Sequence, residues 1–215
     1  MPRGGGKVFA RTCHSRGFTT TLHMTNQKKK AGLARRFASQ FKALGAVAAL
    51  GACAAAHADP AVHVAVGRDP GHNINKYEVG VNWDSGFAWG NPQGWQFKLQ
   101  WEAEVAEWNT LSGTNHHNLT EFGFTPVWRL EKRGGAWVPF LEAAVGVRML
   151  SSKYTSEEHR SGSLFQFSDM LGLGVAFGPK TAYEAGFRYQ HVSNAGIKQP
   201  NPGSGFYTGY VRYRF

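Results

Sequence analysis

Cysteine is nearly missing from this chain of 215 residues. Only Cys13 and Cys53 occur, and both lie in the first 58 positions. A domain built from the remainder has no disulfide and no thiolate metal ligand. Acidic residues are missing from those same 58 positions, which carry ten of the 24 Lys and Arg residues. From Asp59 onward the other 14 basic residues meet all 14 acidic ones, so the formal charge of +10 belongs to the leader. That distribution excludes a basic nucleic-acid-binding domain, and no later stretch interleaves basic and aromatic residues. Long apolar runs are also missing. The longest, residues 43–56, falls short of the ~20 residues a spanning helix needs. No long amphipathic helix and no sequence repeat are visible.

What the first 58 residues do contain fits a secretory signal. Lys28-Lys29-Lys30, Arg35-Arg36 and Lys42 form a positive segment, residues 43–56 an apolar one, and Ala56-His57-Ala58 offers small residues for cleavage. The expected organisation is a leader over 1–58 and one domain over 59–215. Met24 is a second candidate start. Two weaker signals overlap the leader: a twin-arginine hint at Arg35-Arg36 and a lipoprotein-like Leu50-Gly51-Ala52-Cys53.

The domain alternates with period two almost throughout, which is the signature of strands. Tyr77, Val79, Val81 and Trp83 alternate with Lys76, Glu78 and Asn82; Leu141, Ala143, Val145 and Val147 alternate with Glu142 and Arg148. Eight strands are expected, near 61–68, 75–84, 93–108, 118–131, 136–150, 164–178, 181–191 and 205–215. Gly- and Pro-containing breakers separate them. Several are long for a soluble sandwich and suit a tilted membrane crossing. The polar phase carries both signs of charge: Lys76, Lys98, Arg129, Arg148, Arg188 and Arg212 against Glu78, Glu102, Glu104, Glu142 and Glu184. An eight-stranded barrel is just wide enough to be filled by side chains, so these charges can pair inside it. The expected fold is all-β, an eight-stranded antiparallel outer-membrane β-barrel that conducts no ions. The alternative is a soluble sandwich with the charged phase outside.

The chemistry concentrates near the C-terminus. His191 and Ser193 are two residues apart, hence on one face of a strand. They continue the apolar phase of Ala185, Phe187 and Tyr189, while Glu184, Arg188 and Gln190 form the other phase. An imidazole beside a hydroxyl is the minimum for an activated serine; a polar pair at the barrel rim is the plain alternative. Asn194 and Asn201 are candidates for oxyanion binding or positioning, against the reading that both are turn residues. His116-His117 lacks further ligands at suitable spacing and reads as an exposed loop rather than a metal site.

The run His191-Val192-Ser193-Asn194-Ala195-Gly196, followed by Lys198-Gln199-Pro200-Asn201, resembles the lipid A 3-O-deacylases of the PagL family. The resemblance extends less specifically over most of the domain. It implies an eight-stranded outer-membrane barrel of a Gram-negative bacterium. It also implies a Ser/His esterase that releases a 3-hydroxy fatty acid from lipid A, with no metal and no organic cofactor. The partners implied are lipid A (lipopolysaccharide) and outer-membrane lipid, with no nucleic acid; monomer or homodimer stays open. The chain departs from the family at one point. The family's Glu, which works with the His and Ser, falls at Gly205, which is in phase with the outward residues but has no carboxylate. The competing function is therefore a non-enzymatic small barrel serving adhesion or membrane structure.

Overall fold

A computed structural model describes residues 60–215; the leader expected over 1–58 lies outside them. Eight antiparallel strands run in chain order: β1 Ala61–Asp69, β2 Ile74–Gly90, β3 Trp95–Thr110, β4 Leu119–Lys132, β5 Val138–Leu150, β6 Phe165–Phe177, β7 Tyr183–Ser193 and β8 Ser204–Arg214. Each pairs with its neighbours, and β1 also pairs with β8, so the sheet closes on itself and leaves no edge. No helix among the described residues is long and apolar enough to cross a membrane. Any crossing falls to the strands.

The period-two pattern decides which side of the sheet each residue faces. One phase turns inward. Lys76, Glu102, Arg129, Glu142, Arg148 and Arg212 are buried, Arg129 to 1 % exposure. The other phase turns outward and is apolar. Val64, Val66, Leu141, Val145, Leu171, Leu173 and Val211 are all more than half exposed. A soluble sandwich would bury that second phase, so the soluble alternative is excluded. An apolar outer band is the surface a bilayer solvates.

The buried charges pair with one another. The Arg188 guanidinium meets Glu102 and Glu142, each at 2.7 Å. Arg212 reaches Glu184 at 2.7 Å and Glu102 at 3.1 Å. Arg129 spans Glu184 at 2.9 Å and Glu142 at 3.3 Å. Lys76 and Arg148 share Glu121. The pairs tie β2, β3, β4, β5, β7 and β8 across the lumen. These buried side chains occupy the middle of the interior, as a barrel of this strand number allows.

Several strand limits shift from expectation, and two of the shifts matter most. β2 does not stop near residue 84; it resumes pairing at Ala88 after a register shift and continues to Gly90, the detour passing through Gly86 at φ 84°. An irregularity of this kind bends a strand without ending it. β7 extends past His191 to Ser193, so both residues sit on regular backbone. Trp108 also differs from its fellow tryptophans. It points inward, 2 % exposed, and donates its indole N–H to Glu121. Trp89, Trp95 and Trp137 stay outside, at the opposite end of the barrel.

The connections differ between the two ends. One end has residues 91–94, 133–137 and 178–182 as its turns; the other has 70–73, 111–118, 151–164 and 194–203. Short turns on the periplasmic side and longer loops outside are usual for such barrels. His191 and Ser193 lie at the long-loop end.

Candidate active site on the outer wall

The expected site residues come from one strand and the loop that follows it. His191 and Ser193 occupy the outward phase of β7, both partly exposed, while Val192 between them is buried. Phe187 and Tyr189 continue the same phase down the wall and are exposed. The pair therefore opens sideways onto the lipid face rather than into a cavity. As they stand, the two side chains are not hydrogen-bonded to each other; the Ser193 hydroxyl accepts a long bond from the Ala195 N–H at 3.4 Å. Catalytic hydrogen bonds are often loose before substrate binds and tighten with it.

The loop 194–203 is fixed from within. Asn194 is 1 % exposed. Its amide donates to the Lys198 carbonyl at 2.7 Å, and its oxygen accepts from the Gly196 N–H at 3.0 Å. The Asn201 side chain accepts from the Asn194 N–H at 2.9 Å. Both asparagines thus brace the turn directly after Ser193. The turn-residue reading describes what they touch, and the Asn194 amide is committed to the loop rather than turned toward the lipid.

Two glycines shape the surface around the imidazole. A Cβ on Gly203 would stand 2.7 Å from His191 Cε1 and 3.3 Å from Nε2, and the residue has φ 71°. The ring leans over this position, so only glycine suits both the space and the backbone. Gly205 is the direct partner of His191 across the β7–β8 ladder. The position expected to lack a carboxylate is therefore the one facing the histidine. Ser204, next to it, is buried and bonds to His159 on the inner side. A Cβ on Gly205 would lie 2.8 Å from the Tyr189 hydroxyl, which occupies the space above the glycine.

On its other side His191 faces β6. Its partner there is Asp169, and the partner of Ser193 is Phe167. Asp169 is exposed on the outward phase, below Phe167 and above Leu171 and Leu173. Sequence reading passed over it. Its signal was present: an acidic residue in phase with lipid-facing leucines.

Behind the loop stands a second histidine cluster. His159 Nε2 contacts the Gly203 carbonyl at 2.9 Å, and its ring stacks on His72 at 3.8 Å between centroids. His72 bonds Asp69 at 2.7 Å. His159 titrates below the usual histidine range, mainly because burial disfavours its charged form. This cluster supports the glycine under His191 from the inner side. His116 and His117 are engaged separately, with Gly113 and Ser152. Among the described residues, two buried groups bring three ligand-type residues close together, His63 with Glu78 and Glu102, and Glu78 with Glu104 and Glu121. Lys76, Arg148 and Arg188 already neutralise them, which accounts for them without a metal.

A closed barrel with an apolar exterior and a candidate His/Ser pair on its lipid-facing wall fits the class of outer-membrane ester-hydrolysing enzymes. Residues 75–214 match the family model described as lipid A 3-O-deacylase (PagL). The chain is 33% identical over 171 residues to lipid A deacylase PagL of Pseudomonas aeruginosa, covering 79% of this chain and 95% of that one. It is 31% identical over 162 residues to lipid A deacylase PagL of Bordetella bronchiseptica, covering 71% and 83%. It is also similar to the crystal structure of the outer membrane enzyme PagL, with TM-score 0.64 and 29% identity, covering 72% of this chain and 99% of that one. The chain belongs to the lipid A 3-O-deacylase (PagL) family.

Proposed function

We propose that this chain hydrolyses the ester at the 3-position of lipid A within the outer membrane, with Ser193 as nucleophile and His191 as general base. The observation that carries the proposal is the placement of both residues on the outer wall, two residues apart on one face of β7 and flanked by exposed Phe187, Tyr189 and Tyr207. A lipid substrate reaches such a site by diffusing in its own leaflet. Its acyl chains lie along the aromatic and aliphatic wall below. His191 takes the Ser193 hydroxyl proton as Oγ attacks the acyl carbonyl carbon. The bond to the sugar oxygen breaks, and that oxygen takes the proton back from the imidazole. Water then attacks the acyl-serine, with His191 again as base, and releases the 3-hydroxy fatty acid.

The same reading covers the leader. Residues 1–58 direct export, and cleavage after Ala58 leaves a mature chain that starts at Asp59 and carries the barrel. The candidate residues all come from one chain, so the proposal needs no second copy. The test is mass spectrometry of lipid A from cells expressing the chain, with folding of the barrel in the membrane verified by heat-modifiable gel mobility. Loss of one 3-hydroxyacyl chain is expected with the native sequence. With Ser193→Ala turnover should fall by up to about a million-fold, the scale seen when a serine hydrolase loses its nucleophile. Unchanged lipid A beside a folded native barrel favours the non-enzymatic reading.

A further inference from the structure

We propose that Asp169 on β6 supplies the carboxylate that orients His191, in place of the one that Gly205 on β8 cannot provide. This rests on the reading of His191 and Ser193 as the working pair.

Three observations meet here. First, the two ladders place His191 between exactly two outward cross-strand partners, Asp169 on β6 and Gly205 on β8. Directly paired residues have Cβ atoms about 4.5–5.5 Å apart, within reach of a carboxylate–imidazole hydrogen bond after a rotamer change. Second, the space above Gly205 is taken by the Tyr189 hydroxyl, so the β8 side holds a phenol and no anion. Third, Asp169 stands where a charge is expensive. Its outward neighbours along β6 are Phe165, Phe167, Leu171 and Leu173. An ionisable residue turned toward lipid is costly and points to a functional role with a nearby partner. The inner glutamates Glu78, Glu102, Glu104, Glu121, Glu142 and Glu184 sit in ion pairs with Arg or Lys, whereas Asp169 has His191 as its cross-strand neighbour.

The chemistry follows from the arrangement. A carboxylate at Nδ1 accepts the Nδ1–H, leaves Nε2 unprotonated for the Ser193 hydroxyl, and stabilises the imidazolium formed during attack. Both strands flank His191, so a carboxylate on either can approach the ring after a rotamer change. The ionisable groups facing His191 are Asp169 from β6, Tyr207 from β8 and Tyr189 on its own strand. Asp169 is the acid among them. It is a positioning residue: it acts through His191 and makes no contact with the ester.

The test compares native protein with Asp169→Asn, Asp169→Glu and His191→Gln, each refolded in lipid nanodiscs. Turnover of purified lipid A is followed by mass spectrometry, and the histidine side-chain nitrogens by 15N NMR. The resonance missing from His191→Gln identifies His191. Asp169→Asn is expected to lower kcat by about a hundred- to ten-thousand-fold with little change in KM. It should also move neutral His191 from the Nδ1–H toward the Nε2–H tautomer, and Asp169→Glu should recover much of both. Native-like kcat in Asp169→Asn overturns the proposal. So does an unchanged tautomer, and that readout applies whether or not the native barrel turns over. Absent turnover in the native protein with a tautomer that follows Asp169 overturns the deacylase reading alone.

Discussion

The inside of this barrel and its outside obey opposite rules. Inside, Arg129, Arg188 and Arg212 interlock with Glu102, Glu142 and Glu184, and each charge has more than one partner. Outside, aliphatic and aromatic side chains cover most of the wall; Arg68, Glu107 and Lys132 lie toward its two ends, and Asp169, His191 and Ser193 form a polar cluster on adjoining strands. The inner charges hold the sheet closed and have no route to a substrate. The outer ones contribute nothing to closure and stand where a lipid ester can reach them. Charge alone therefore does not mark function in such a protein; charge in the wrong phase does.

The largest effect expected from breaking this contrast is on the inner side. Arg188→Ala leaves Glu102 and Glu142 each short of a buried partner. Removing one member of a buried ion pair costs about 3–5 kcal/mol, so the urea midpoint of the refolded barrel should fall clearly. A midpoint matching the native one would mean that the inner network is dispensable. The outer side should answer in the opposite sense. Asp169→Leu restores the apolar band and should stabilise the barrel, by a fraction of the about 2–4 kcal/mol that a midplane Arg or Lys costs, while deacylation collapses. Loss of stability in Asp169→Leu would instead make Asp169 a structural residue.

A smaller effect concerns the loop under the site. His159 is held below its ordinary value of 6.5, first by burial and also by the neighbouring His72. The native state therefore binds fewer protons than the unfolded one as pH falls below 6.5. The contribution of His159 to stability is full above that value and is lost as pH falls through its folded value. Asp69, His72, Thr155 and Ser204 surround it. Amide exchange in 194–203 should quicken with acidification beyond its intrinsic pH dependence, and less so in His159→Gln. Equal acid responses in the two proteins would remove His159 from the account.

Most of the barrel was legible before its structure, for one physical reason. A period of two assigns each residue to one of two faces, and only a closed membrane barrel accommodates Leu171 outside and Arg129 inside. His191 and Ser193 were legible through the same alternation, with Gly205 in phase beside them. Asp169 was not, because cross-strand neighbours depend on register. Strand ends at 178 and 181 would pair Asp169 with Gln190, on the inward phase. The turn over 178–182 closes β6 at Phe177 and opens β7 at Tyr183, which sets Asp169 against His191. Asn194 was ambiguous for a different reason: an amide that braces a turn and one that binds an oxyanion look alike in sequence.

The finest discrimination comes from placing a carboxylate on both flanks of His191. From sequence alone, Gly205→Glu should raise activity, since it fills the family's position. The structure changes that expectation. The new Cβ would meet the Tyr189 hydroxyl at 2.8 Å, and the tyrosine must swing aside from its contact with Tyr207, 5.1 Å away between ring centroids. A second carboxylate also adds little where one already orients the ring, and two anions flanking one imidazole repel each other. Gly205→Glu alone should therefore change kcat by less than about tenfold. In an Asp169→Asn background the same substitution has an unfilled role to take, and it should recover about tenfold or more of the lost rate. Residues that share one function are non-additive in this way. Measuring all four proteins as a cycle gives the coupling directly. Strict additivity, with Gly205→Glu acting the same in both backgrounds, would show that the two positions do not serve the same nitrogen of His191.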